Sequence, residues 1–420
     1  MFMSADLVIV GLGYVGLPLA QGAVRRGVKV VGLDVKQAVV AGLNSGISHI
    51  DDLSDADIAE MLQLGFTATT DATCIEDAGA VVICVPTPLD ESFAPDLGAV
   101  EGAARMIRDH LRAGTLVVLE STTYPGTTDD VMIPILEESG LKAGTDFHVA
   151  YSPERIDPGN PVYGIVNTPK VVGGIDAAST EAAAALYGRF VDTVVRVKGT
   201  REAEMAKLLE NTYRHVNIAL VNEMAIFSHD LGIDLWESIR AASTKPFGFQ
   251  AFYPGPGVGG HCIPIDPNYL SYRVRMLGYP FRFVELAQEV SSRMPAYVVN
   301  RAMHNLNDRS RSLRGATVLL LGVTYKKDIS DERESPAQPV ARRLLELGAV
   351  VSYADPHVEA WSIDGQSVPR VTDAVAAAST ADLTILLQSH TAFDLDAIAE
   401  TAQALLDTRG VLHGPRIERL

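Results

Sequence analysis

The chain predicts an α/β fold: two Rossmann-like, doubly wound domains joined by a central helical domain. Three observations predict it. A glycine-rich turn, GLGYVG, stands between a strand pattern and a helix pattern near the start. Short apolar runs then alternate with helical stretches, give way to helices, and restart after residue 312. Between the two α/β regions, no glycine or proline occurs from Arg201 to Leu231, which reads as one long helix stopped at Gly232. The expected domains are 1–199, 200–305 and 312–420, and 420 residues suffice for two or three substantial cores.

The first strand, in DLVIVGLGYVGLPLA, runs into Gly11, Gly13 and Gly16. The first glycine permits the tight turn, the second lets the backbone approach a pyrophosphate, and the third lets helix pack on strand. Helix-terminal N–H groups then face the phosphates. Tyr14 and Val15 fill the variable positions of this cofactor turn. The next strand, VKVVGLDV, ends at Asp34, which lies 18 residues beyond Gly16. A carboxylate there accepts hydrogen bonds from an adenosine ribose and repels a 2′-phosphate, so the expected cofactor is NAD, not NADP.

Two further buried strands follow, in AGAVVICVPTPLD and GTLVVLESTTYPGTT. Ligands of open parallel sheets bind outside the carboxyl ends of the strands. Val85, Thr87, Ser121 and Thr122 are therefore placed to meet cofactor or substrate, although Ser and Thr after a strand are also ordinary loop formers and caps. DFHVAYSPERIDPGN brings Glu154 and Arg155 to the next strand end, pinned by prolines. Arg155 has the plainer alternative of pairing with a neighbouring acid.

In the long helix, Lys207 and Asn211 are four apart and share a face. Asparagine is a mediocre helix former, so its presence beside a lysine points to a polar task, against the bland reading of a solvated surface. A second helix, LWESIRAASTK, leads to the loop GPGVGGHCIPIDP. Its glycines allow close approach to a ligand, its prolines stiffen the far side, and Cys262 sits between them. A thiol just upstream of a helix N-terminus has its pKa lowered, which favours the nucleophilic thiolate. Asp266 followed by Pro267 also reads as a helix cap with proline at the first helical position. A further apolar helix, to about His304, precedes the polar linker NLNDRSRSLRG.

The α/β rhythm then restarts in ATVLLLGVTYKKDISDERESPAQ, with an acid, Asp355, at the end of the second strand. No glycine-rich phosphate loop appears. Lys326, Lys327 and Arg333 take its place ahead of Ser335, read as an N-cap, and Pro336 at the first helical position. Cations at a helix N-terminus make an anion site.

The wider composition excludes several classes. With 35 basic and 52 acidic residues the net charge is −17, a field that repels nucleic acid but leaves room for a local anion pocket. No apolar run reaches membrane-span length, and a strand pattern begins almost at once, so neither a membrane span nor a signal peptide is expected. Cys74, Cys84 and Cys262 are scattered and odd in number, which suits a reducing cytoplasm and lacks zinc-ribbon spacing. A metal site on His261, Cys262 and Asp266 lacks further ligands, and none is expected.

The pieces GLGYVGLPLA, CVPTP, ESTTYPGTT, SPER, EMAKLLENTYR, GGHCIPIDP and GVTYKKDISDERESPA occur in that order over nearly the whole chain. Together they resemble the nucleotide-sugar 6-dehydrogenases of the UDP-glucose/GDP-mannose dehydrogenase family. The resemblance implies a double oxidation of a primary alcohol to a carboxylate, consuming two NAD, in polysaccharide biosynthesis. It implies that Cys262 captures the aldehyde as a thiohemiacetal, which is oxidised to a thioester and hydrolysed. Lys207 and Asn211 would stabilise charge on the C6 oxygen, Asp266 would accept protons or order water, and Glu154 would serve hydrolysis, with Thr122 positioning that water. Lys326 would contact the UDP phosphates and Arg333 the cofactor. Arg155, Tyr253 and Gly259 are assigned to the substrate. A homodimer through the long helix is expected. SPER followed by IDPGN, with FYPGPGVGGHCIPIDPNYL, looks most like the branch oxidising UDP-N-acetylhexosamines, UDP-N-acetylglucosamine first, with the mannosamine and galactosamine epimers and UDP-glucose as alternates.

Two rivals differ in class. A two-electron hydroxyacid dehydrogenase would share the cofactor domain but not require Cys262, and a non-catalytic NAD sensor would keep the glycines without the Cys262, Lys207 and Glu154 set.

Overall fold

The computed structural model describes residues 5–90, 94–156, 160, 162–260, 263 and 265–420. It divides into two compact units, residues 1–210 with 268–279, and residues 211–267 with 280–420. No helix among the described residues is long and apolar enough to cross a membrane.

The first unit is built on eight strands: β1 (Leu7–Val10), β2 (Val30–Leu33), β3 (Thr67–Thr69), β4 (Ala80–Ile83), β5 (Leu116–Leu119), β6 (His148–Tyr151), β7 (Lys170–Gly174) and β8 (Val194–Arg196). Their order is β3-β2-β1-β4-β5-β6-β7-β8. All neighbours are parallel except β6 and β7. Every residue of β1, β2, β4 and β5 is buried, which is why these runs read as continuous and apolar, without alternation. The strand order reverses between β1 and β4, so both carboxyl ends open onto one crevice. Helix α1 (Gly16–Arg25) leaves that crevice and buries Leu17, Leu19, Ala20, Ala23 and Val24.

The long helix α2 (Thr200–Asp230) is as the sequence predicts. Its first two turns are fastened to the loop after β5 by a fully buried acid, Glu204. Glu204 accepts from the Gly126 N–H (2.6 Å), the Thr128 N–H (2.9 Å) and the Thr128 hydroxyl (2.8 Å). Those donors open the π-helical turn Thr128–Met132, so a side chain from another element does the work of a cap.

In the second unit a five-stranded parallel sheet has the order β10-β9-β13-β14-β15, from β9 (Thr317–Leu321), β10 (Val350–Ala354), β13 (Leu383–Leu386), β14 (Leu405–Asp407) and β15 (Ile417–Arg419). A two-residue hairpin of β11 (Ser362–Ile363) and β12 (Gln366–Ser367) stands apart. Helices α3 (Leu235–Ser243), α4 (Asp266–Met276, which crosses between the units), α5 (Arg282–Asp308) and α6 (Ala337–Glu346) complete the elements used below. Three boundaries differ from expectation. Helix α5 continues four residues past His304 because Leu306 is buried and Asn305 donates to Glu418 (2.8 Å). Helix α6 begins at Ala337 with Pro336, not Ser335, at the N-cap; the Ser335 hydroxyl still accepts from the Ala337 N–H (3.3 Å). Helix α4 opens at Asp266 itself, so Pro267 is its second residue.

Glu204→Gln puts an amide NH2 against N–H donors where a carboxyl accepted on both oxygens. The expected cost is about 1–3 kcal/mol, a lowering of Tm by about 2–4 °C per kcal/mol in a unit of this size, measured by calorimetry. An unchanged Tm would show that this junction does not hold the loop.

Candidate functional site

The cofactor turn has the geometry its glycines predict. Gly11 has φ +91°, and a Cβ there would lie 2.7 Å from the Cys84 carbonyl oxygen. A Cβ on Gly16 would meet the Gly11 carbonyl at 1.9 Å, the close helix–strand packing expected of the third glycine. Gly13 is the contrast, since a Cβ there meets nothing within 4 Å. Its open side is where a pyrophosphate fits. Val15 caps α1 without a side-chain hydrogen bond, so no side chain competes for the helix N–H groups. Asp34 holds the turn, accepting from the Leu12 N–H (3.0 Å) and the Lys36 N–H (2.9 Å). Its remaining lone pairs suit ribose hydroxyls. Tyr14 is exposed on the same turn. These residues fit a dinucleotide.

At the ends of β4 and β5 the expected residues separate. The Ser121 hydroxyl donates to the Val85 carbonyl (2.8 Å) and is buried, so it ties the two loops together. Thr87 offers its carbonyl to the Tyr269 hydroxyl. Thr122 accepts from Lys207 Nζ at 2.5 Å, which brings a buried ammonium to the strand end. Beyond β6, Glu154 has a side chain only 12 % exposed. Burial pushes its carboxyl up, while the Ile156 N–H (2.5 Å to Oε1) and the charges of Lys207 and Arg155 pull it back. Arg155 takes the plainer alternative: it forks onto Glu210 (3.2 and 2.6 Å) and donates to the Pro169 carbonyl (2.8 Å).

In the second unit Asn211 Nδ2 donates to Asp266 Oδ2 at 2.6 Å, both buried. Cys262 and His261 lie outside the described residues. The glycines before them press on the protein itself: a Cβ on Gly259 would meet Tyr325 Cβ and the Glu334 carbonyl at 2.7 Å. Gly260, at φ +84°, lies against the Tyr325 ring in the same way. The Gly255 N–H donates to Asn222 (2.9 Å), and Tyr253 stacks on Trp236 with ring centroids 5.7 Å apart. Arg333 forks onto Asp331 (2.8 and 2.7 Å), while Lys326 is half-buried in the same loop. Asp328, His357 and His390 cluster nearby, but Nδ1 of His390 accepts from the Asp328 N–H (3.0 Å) and Nε2 faces Asp355 (3.2 Å), so hydrogen bonds already use both ring nitrogens.

The sequence reading missed three residues. Glu204 is one; burial pushes it up to about 7 although its three donors pull the other way. Glu120 and Lys170 are the others, an ion pair buried between β5 and β7. The available signal was charge inside apolar runs: Glu120 ends LVVL and Lys170 opens KVVGG. Opposite charges at the ends of two buried strands have to find each other or water.

The UDP-glucose/GDP-mannose dehydrogenase family matches in three parts: its NAD binding domain over residues 5–191, its central domain over 201–293 and its UDP binding domain over 319–414. The UDP-N-acetyl-D-glucosamine 6-dehydrogenase of Pseudomonas aeruginosa is 38% identical over 84% of this chain and 83% of its own. The NDP-N-acetyl-D-galactosaminuronic acid dehydrogenase of Ralstonia nicotianae is 36% identical over 97% and 96%. Among solved structures, a UDP-D-ManNAc dehydrogenase from Pyrococcus horikoshii superimposes with TM-score 0.89 at 32% identity, covering 98% of both chains.

Gly13→Ala and Gly16→Ala should part company. The first keeps Tm within about 1 °C, since its methyl meets nothing, yet weakens NAD binding about tenfold or more by blocking close approach. The second lowers Tm because its methyl strikes the Gly11 carbonyl. Calorimetry with NAD titration checks both, and equal NAD affinity in Gly13→Ala would remove the pyrophosphate from this turn.

Proposed function

Because the chain belongs to the UDP-glucose/GDP-mannose dehydrogenase family, an NAD-dependent oxidoreductase family, we propose that it oxidises the C6 hydroxyl of a UDP-N-acetylhexosamine to the uronate in a four-electron reaction. The observation that carries this reading is the buried Lys207 ammonium hydrogen-bonded to Thr122 at a strand end beside Glu154. A buried cation whose hydrogen-bond partner among the described residues is a neutral hydroxyl is poised for an anion, and an alkoxide forming at C6 supplies one.

NAD, when bound, accepts the hydride of each oxidation. Gly11, Gly13, Gly16 and Asp34 hold it, and Val85, Thr87 and Ser121 shape the loops beside it. Lys207 and Asn211 stabilise negative charge on the C6 oxygen as its proton leaves, and Asp266, hydrogen-bonded to Asn211, takes protons or orders water. Cys262 adds through sulfur to the aldehyde carbon, and the thiohemiacetal that results is oxidised to a thioester. Glu154 takes a proton from the water that hydrolyses it, with Thr122 and Lys207 holding that water. Lys326 binds the UDP phosphates, Arg333 turns from Asp331 to the cofactor, and Arg155, Tyr253 and Gly259 shape the sugar site through the segments they brace.

UDP-N-acetylglucosamine is the first choice of sugar. The SPER and GGHCIPIDP segments support the N-acetylhexosamine branch, and the choice within it leans on the 38% relative, against 36% for the relative named for N-acetylgalactosaminuronic acid. The reaction belongs in the cytoplasm, where it makes an acidic sugar donor for a polysaccharide. A homodimer is supported by Tyr213, Leu220 and Phe227, exposed apolar residues at seven-residue spacing along α2.

The parent enzyme should form two NADH per UDP-N-acetylglucosamine consumed, and Cys262→Ala should make no acid. One NADH per sugar, or an unaffected Cys262→Ala, returns the simple hydroxyacid dehydrogenase. Turnover of only the mannosamine or galactosamine epimer keeps the chemistry and replaces the sugar. Leu220→Glu should shift the parent's dimer mass to a monomer in light scattering at micromolar chain. A parent already monomeric would remove the interface.

A further inference from the structure

We infer that Lys170, clasped by Glu120 and Tyr187, is a positioning residue that aims the Glu154 carboxylate and holds its charge for the hydrolytic step. This rests on the reading of Glu154 given above.

Lys170 and Glu120 come from different strand ends of one sheet, and Tyr187 is the last residue of the helix Ala177–Tyr187. Lys170 is the first residue of β7, with its side chain 8 % exposed. Its Nζ is ion-paired with Glu120, the residue after β5, whose carboxylate is wholly buried. Glu120 Oε2 also accepts from the Tyr187 hydroxyl (3.1 Å) and faces the Cys84 thiol (3.9 Å). The Tyr187 ring lies under the ammonium, with its centroid 5.2 Å from Nζ. From that clasp Nζ lies 3.6 Å from Glu154 Oε2.

Glu154 is held by one oxygen. Oε1 takes the Ile156 N–H, while Oε2 is buried and has no hydrogen-bond partner among the described residues. Oε2 is the oxygen left for water, and Lys170 is the cation at ion-pair distance from it. Of the other charges facing Glu154, Arg155 is paired with Glu210 and bonded to the Pro169 carbonyl, and Lys207 is hydrogen-bonded to Thr122; both charges still pull the carboxyl down. Cys84 and Tyr187 bring dipoles without charge, because burial pushes the thiol up to about 12 and the phenol well above its usual range.

A buried ion pair is a poor device for stability, since desolvation cancels most of its attraction. Function explains this one better. Burial, with the Lys207 charge adding to it and Cys84 opposing it, pushes Lys170 down to about 7. Contact with the Glu120 carboxylate favours the protonated ammonium, and an ammonium 3.6 Å from Glu154 Oε2 favours the ionised carboxylate there. In the step served, a water O–H bond breaks and its proton goes to Glu154 Oε2. The water oxygen bonds to the thioester carbon, and the C–S bond breaks with its electrons on Cys262 sulfur.

Removing the Lys170 charge should raise the pH at which Glu154 loses its proton. The acidic limb of the pH profile for acid formation then moves up by about one unit, an about tenfold slower hydrolysis below it. Glu120→Gln/Lys170→Met is charge-neutral and suits the buried site. It should keep the parent's Tm within a few degrees and its NAD affinity, show the shifted limb, and accumulate the Cys262 thioester adduct in mass spectra of acid-quenched enzyme. Lys170→Gln alone should move the limb the same way, because an amide can still donate to Glu120 but brings no charge to Glu154 Oε2, while Lys170→Arg should leave the limb where the parent has it. If the double variant does not fold, Lys170→Gln decides. A lower rate with an unmoved limb and no adduct would reduce the pair to packing and overturn the inference. Glu154→Gln separates the two readings: undiminished acid formation removes Glu154 from hydrolysis, whereas lost acid formation with an unmoved limb in the pair variants removes only Lys170.

Discussion

A helix that carries a glutamate, a lysine and an asparagine into buried positions must give each a partner, and much of the first unit's chemistry follows from that constraint. Glu204 takes three donors from the loop after β5, and one turn on Lys207 takes Thr122 from the same loop. Neither contact needs a ligand. Together they fix the loop's conformation before any ligand arrives, and they leave the lysine with one neutral acceptor for its charge. A side chain so placed gains more from an incoming anion than a solvated lysine would, because the surroundings are already desolvated.

The same logic separates residues that share a motif. SPER supplies two charges in adjacent positions with opposite fates. Arg155 is fully engaged, bidentate on Glu210 and bonded to a carbonyl, so its contribution is to fasten the segment. Glu154 keeps an oxygen without a partner beside a lysine that is itself clasped. Likewise ESTT divides into Glu120, buried and ion-paired, Ser121, which bridges two loops, and Thr122, which meets the lysine.

Much of the fold was legible because parallel strands buried on both faces leave an unmistakable apolar run, and because a helix of 31 residues without glycine or proline has few other readings. The glycine turn was legible down to the distinct task of each glycine. Partnership was less so. Nothing near Glu120 in the chain announces Lys170, fifty residues on, since a pairing between non-adjacent strands depends on the sheet order. The loop GPGVGG carries two explanations at once. Its glycines read as close approach to a ligand, and Gly259 and Gly260 also lie against the Tyr325 side chain, so packing by itself accounts for the absence of Cβ atoms there. The caps slipped by one residue where Ser-Pro and Asp-Pro each allowed two frames.

The two sheets share a backbone device and use it differently. After β1, Gly11 turns at φ +91°, its N–H bonds to the Leu33 carbonyl, and the acid ending β2 takes the next N–H, from Leu12. After β9, Gly322 turns at φ +75°, its N–H bonds to the Ala354 carbonyl, and the acid ending β10 takes the Val323 N–H. The turns part at the next residue. Gly13 stands open, whereas Thr324 is buried, donates to the Lys326 carbonyl (2.8 Å) and touches His390. His390 also faces Asp355, so the acid that would meet a ribose is already occupied. One turn is built to let a pyrophosphate reach the backbone, and the other is filled by its own side chains. The backbone route to a ligand's phosphates is thus filled in the second sheet, and the loop that follows carries Lys326, Lys327 and Arg333.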